Sequence, residues 1–177
     1  LNGGDLRILV ADDGCGIPLQ FEGEDGEMCD GIPWVMAFGN RGVTSVVADG
    51  NRKMIGKFGL GLSSSIASLA RKDGSAWIWS KRTEDTDWRS CFFEFSDIES
   101  YHHPETGENG FLPNERTDIQ PPLLPFGDTG TILVIDIPEA RKERFRLGSM
   151  QNFVMRFASQ TYRHHIANGL TIKVSED

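Results

Sequence analysis

A chain of 177 residues with 38% hydrophobic and 25% charged residues can bury the core of one ordinary soluble domain. No apolar run approaches the roughly 18 residues that a membrane span needs. A formal net charge of −8 argues against direct nucleic-acid binding, which needs a basic face to displace counterions. A polyanionic ligand must then be held by local donors.

In chain order, residues 5–11 (DLRILVA) alternate as a strand, with Ile8 and Val10 on one face. Asp12-Asp13-Gly14-Cys15-Gly16-Ile17-Pro18 is a turn by its glycines. Residues 19–55 carry few periodic signals beyond a short helix, Pro33 to Phe38; a stretch of this length is usually a functional lid or disordered. Gly56-Lys57-Phe58-Gly59-Leu60-Gly61 then leads into a helix to residue 72. Leu62, Ile66 and Leu69 share one of its faces, and Arg71 and Lys72 suit its C-terminal dipole. Two strands follow, 75–82 and 88–95, joined as a hairpin by the polar TEDTD. Residues 98–127 read as a long connection. Residues 130–137 (GTILVIDI) are β-branched and apolar, as a central strand is. A helix is predicted over 148–165, with Phe153, Phe157 and Thr161 on one side; Asn168-Gly169 turns into a last strand, LTIKV. This order suggests an α/β sandwich with helices on one face of the sheet.

Glycine-rich turns beside helix starts bind phosphate, because backbone N–H groups can approach the anion and the helix end adds partial positive charge. Gly56 to Gly61 fits that physics. It is not a Walker A loop, since Phe58 follows Lys57 where Ser or Thr is required. It is not a Rossmann fingerprint, since Ser64 stands where a third glycine would be. An aspartate at a strand end beside glycines, as at Asp12, can accept from the exocyclic amine of adenine; by itself Asp-Asp-Gly reads first as an ordinary turn.

Together these segments resemble a known family. Asp12-Asp13-Gly14-Cys15-Gly16 resembles the DxGxG motif of the gyrase, heat-shock chaperone, histidine kinase and MutL (GHKL) superfamily. Gly56 to Gly61 resembles its GxxGxG motif, in the form found in chaperone- and MORC-type members. Gly130-Thr131 resembles its third element, at the base of the pocket. All three stand in family order, with a lid-length segment between the first two.

The resemblance implies a two-layer α/β sandwich of the Bergerat type, with a mixed, mostly antiparallel sheet, in a single ATP-binding domain over 1–177 whose lid is 18–55. Asp12 would accept from the adenine amino group and Gly16 would shape its pocket, with Gly14 in the same motif. Thr131 would support Asp12, directly or through water. Phe58, Gly59, Leu60 and Gly61 would wrap the triphosphate with backbone donors. Lys57 reads either as a phosphate contact or as a solvated side chain. In the lid, Phe38-Gly39-Asn40-Arg41-Gly42 resembles the family's polar lid stretch, which makes Asn40 a binding residue.

The family's hydrolytic centre is a Glu and an Asn four residues apart on a helix before the first strand: a general base, and a ligand for magnesium. The chain opens at Leu1, without a signal peptide, and reads as a fragment or processed product that lacks this helix. ATP binding is therefore the expectation, with hydrolysis and magnesium where the helix is supplied, driving lid closure or homodimerisation in a larger protein. The alternatives are a non-catalytic regulatory module with a degenerate site and a histidine kinase catalytic domain. The expected compartment is the cytoplasm, or the nucleus in a eukaryote.

Other features read as structural. His102-His103 and His164-His165 lack a third ligand for a metal. The acidic run Glu22 to Asp30 reads as a solvated lid face, and Ser63 to Ser65 lack a positioned base. Cys15, Cys29 and Cys91 show no CxxC spacing or paired disulfide framework and fit a reducing compartment.

Overall fold

The computed structural model describes residues 6–22, 26, 28–36, 68–69, 74–94, 96, 115–122, 127–138 and 147–174. The chain divides into two compact units, Leu1–Pro138 and Glu139–Asp177.

The first unit is built on an antiparallel sheet. Its strands are β1 (Leu6–Asp12), β4 (Ser75–Lys81), β5 (Arg89–Glu94), β6 (Glu115–Arg116) and β7 (Gly130–Ile137), in the order β1-β7-β4-β5-β6. A separate ribbon pairs β2 (Gln20–Glu22) with β3 (Met28–Asp30), and a short helix, α1 (Gly31–Met36), follows it. The chain is thus mixed α/β, and every ladder among the described residues is antiparallel.

β7 is central because both of its faces are apolar. Ile132 and Val134 pack with Trp79, and Ala11, Trp77, Trp88 and Ile119 close around them. Trp77 and Trp79 stack at 5.2 Å between ring centroids, and the Trp79 indole N–H donates to the Ile119 carbonyl at 3.2 Å. On the opposite face Ile135 and Ile137 are buried, and Ile135 stands opposite the buried Ala76. Each such aliphatic side chain contributes about 1.5–3 kcal/mol on burial. Asp136 interrupts the run; its carboxylate accepts from Arg7 on β1 at 2.6 Å and from the Ser75 hydroxyl on β4 at 3.1 Å.

The expected strands at 5–11 and 130–137 and the hairpin of 75–82 with 88–95 are present within a residue or so at each end. Three details of this unit differ from the sequence reading. The short helix expected from Pro33 to Phe38 is α1, which starts two residues earlier, at Gly31, while residues 37–38 lie outside the described residues. Residues 20–22 pair with 28–30 as the β2–β3 ribbon, and the long connection contributes β6, which pairs Glu115 with Cys91 and Arg116 with Ser90.

In the second unit α2 (Leu147–Thr161) is followed at once by α3 (Arg163–Ala167). The single helix expected over 148–165 is divided at Tyr162, whose N–H donates to Ala158 O and whose carbonyl accepts from Ile166 N–H, both at 2.8 Å. Phe153 and Phe157 do share a side, with parallel rings 6.2 Å apart, and both are exposed. Gly169, at φ 101°, makes the expected turn. The strand expected at LTIKV does not form. Residues 170–174 are non-regular, without a ladder partner among the described residues, and alternation alone cannot satisfy a strand's backbone groups. No helix among the described residues is long and apolar enough to cross a membrane.

Candidate functional site

The register of the sheet gathers four polar residues into one row. Asp12 on β1 stands opposite Thr131 on β7, Thr131 opposite Ser80 on β4, and Ser80 opposite Arg89 on β5. Directly opposed residues project from the same face of a sheet. The next row along that face is Val10, Leu133, Ile78 and Cys91. The polar row therefore marks one end of an otherwise apolar surface.

Asp12 is exposed, and its Oδ1 accepts from the Gly14 N–H at 2.8 Å. This local bond closes the turn that the sequence predicts. No side-chain hydrogen bond joins Asp12 to Thr131 among the described residues, so the support expected between them rests on proximity in the register. Beside them Gly130 has φ 138°. A Cβ there would strike the Asp12 carbonyl oxygen, so only glycine lets β7 begin this close to the end of β1. Gly16, at φ 72°, likewise lies against the Lys81 carbonyl at the end of β4.

Ser80 and Arg89 are buried and carry the turn. The Ile17 N–H donates to Ser80 Oγ at 2.7 Å, and the Ser80 hydroxyl donates to the Gly130 carbonyl at 3.2 Å. Arg89 Nη2 donates to the Ile17 carbonyl at 2.5 Å. The same guanidinium pairs with Asp85 at 3.3 Å and Glu115 at 3.2 Å. A buried cation needs such compensation, since desolvation costs several kcal/mol when it is unpaired. Burial raises the Glu115 carboxyl above its ordinary range; Arg89 opposes that shift. Burial, reinforced by Glu115, also pushes the Cys91 thiol up to about 12.

The described residues thus bring together Asp12, Gly14, Gly16 and Thr131. Asn40, Lys57, Phe58, Gly59, Leu60 and Gly61 lie outside the described residues, and of the helix expected after the glycine loop only Ser68 and Leu69 are described, both helical. Ser80 and Arg89 were not singled out by sequence reasoning. Ser80 ends the SAWIWS run with a polar side chain where the apolar face would continue, which is a faint signal; nothing local marks Arg89. No group of three or more metal-ligating side chains occurs among the described residues.

No protein-family model matches this chain, and comparison with curated proteins finds no significant relative.

Proposed function

We propose that this chain binds ATP at the end of the sheet marked by Asp12 and Thr131, in the manner of a GHKL domain. The observation that carries the reading is the pairing of those two residues on neighbouring strands. The first and third motifs are 119 positions apart in sequence (131 − 12), and the register places them side by side.

The residues present fit an adenine. The Asp12 carboxylate is exposed, and one of its oxygens is taken by Gly14 N–H; the other can accept from an exocyclic amine. Thr131 stands opposite it in the register and offers a hydroxyl as a second polar group. Of the apolar row next to it, Val10 is exposed and can face a base, whereas Ile78 and Cys91 are buried in the core. The phosphates would reach the backbone donors of Gly56 to Gly61, with Lys57, under a lid containing Asn40. In the full reading the antiparallel sheet is one layer of a Bergerat-type sandwich and helices form the other. Magnesium would accompany the nucleotide. Hydrolysis requires a general base, supplied in the family by a Glu on a helix of its own, and nucleotide-dependent closure or homodimerisation would be the output. Such a role belongs in the cytoplasm or nucleus, where ATP is abundant.

Isothermal titration of the intact chain with ATP and ADP tests the proposal. Wild type should bind, and Asp12→Asn, which replaces an acceptor oxygen by a donor, should bind at least tenfold more weakly, about the effect of one charged hydrogen bond. Equal binding by the two proteins would remove Asp12 from the site.

A further inference from the structure

Ile17 is held on both of its backbone polar groups by side chains from other strands. Its N–H meets the Ser80 hydroxyl and its carbonyl meets the Arg89 guanidinium. Ser80 passes its own proton to the carbonyl of Gly130, the residue before Thr131. One hydroxyl therefore links the exit of the Asp12 turn, the end of β4 and the start of β7. Arg89 is itself fixed by Asp85 and Glu115.

Neither side chain is free to serve a ligand directly, since both are buried and their polar groups are engaged within the protein. What they fix is the path of residues 14–17. The Asp12 turn is otherwise closed by a single local bond, from Gly14 to Asp12. A segment rich in glycine loses much conformational freedom on ordering, and a ligand that must order it binds more weakly by that cost.

We propose that Ser80 and Arg89 are positioning residues for nucleotide recognition, holding the Gly14–Ile17 segment in its ligand-ready path before the base arrives. This rests on the ATP-binding reading above. Specificity for an adenine base then depends on two strands that do not touch it.

Ser90 supplies the control. It is as fully buried as Ser80, and its hydroxyl donates to the Arg116 carbonyl at 3.2 Å, away from the turn. Ser80→Ala and Ser90→Ala each remove one buried hydroxyl from adjacent strands, so both should lower thermal stability. Ser80→Ala alone should weaken ATP binding in titration of the intact chain, by about tenfold. It alone should also speed amide hydrogen exchange at Ile17 in the ligand-free protein. Arg89→Lys, which keeps the charge and loses the fork, should weaken ATP in the same direction.

Equal loss of affinity in Ser80→Ala and Ser90→Ala would reduce Ser80 to a stability role and overturn the proposal. So would wild-type affinity in Ser80→Ala, whatever its exchange rate. A wild-type protein that binds no ATP would overturn the nucleotide reading itself and the recognition role with it, an outcome distinct from ATP binding that ignores Ser80.

Discussion

Asp12 and Thr131 face each other across the β1–β7 ladder at the point where one strand ends and the other begins. Thr131→Val keeps the branched shape and removes only the hydroxyl. ATP affinity should fall by about fivefold to tenfold, the range of one neutral hydrogen bond, with the far-ultraviolet dichroism unchanged. Undiminished binding in titration would place the Thr131 hydroxyl outside the site.

Gly130 tests the close approach that makes this pairing possible. Its φ of 138° and the Asp12 carbonyl beside it leave no room for a Cβ. Gly130→Ala should cost about 1–3 kcal/mol in urea unfolding, whereas the same change where alanine is tolerated stabilises by about 0.4–1 kcal/mol. A variant as stable as wild type would mean that the strand can start elsewhere.

Ile135 measures the core under the site. It is 2% exposed, and Ile135→Ala should destabilise the fold by about 2–5 kcal/mol. A loss under about 1 kcal/mol in equilibrium unfolding would contradict a packed interior there.

Much of this architecture is legible in the sequence for identifiable reasons. β7 declares itself because Ile132, Val134, Ile135 and Ile137 are apolar on both faces, and the β4–β5 hairpin because TEDTD separates two apolar runs. β6 is too short to have a pattern; two residues become a strand only because β5 offers them an edge. LTIKV has the pattern and lacks a partner among the described residues. At the site, Asp12, Gly16 and Thr131 follow from motif resemblance. Ser80 and Arg89 do not, because what they do depends on a backbone group 63 and 72 positions away.

Cys91 gives a pH dependence with a definite sign. Its thiol is pushed up to about 12 in the folded chain, whereas an unfolded thiol ionises near about 8.5. Its contribution to stability is complete below the unfolded value and is lost as pH rises toward the folded one, because the unfolded chain sheds a proton that the folded chain retains. The loss is at most about 1.4 kcal/mol per pH unit. Urea midpoints between about pH 8 and about pH 10.5 should fall more steeply in wild type than in Cys91→Ala; parallel curves would refute the assignment.

Cys15 offers a probe inside the Asp12 turn. It is exposed while Cys91 is buried, so a maleimide should label Cys15 alone in native Cys29→Ser protein. Saturating ATP should slow that labelling by about fivefold or more if the base covers the turn. An unchanged rate would put the nucleotide elsewhere.

Asp136, far from the turn, has a bearing on all of this. Its carboxylate is claimed by Arg7 on one neighbour and Ser75 on the other. Sliding β7 by one residue against either neighbour would turn that charge toward the opposite, apolar face and strand both partners. Asp136 thus acts as an alignment pin. It lies five positions along the strand from Thr131 (136 − 131), about 17 Å at strand rise, and together with the apolar pattern it favours the register in which Asp12 meets Thr131. Asp136→Ala should loosen the choice of partner at the far end of the ladder without touching any group there.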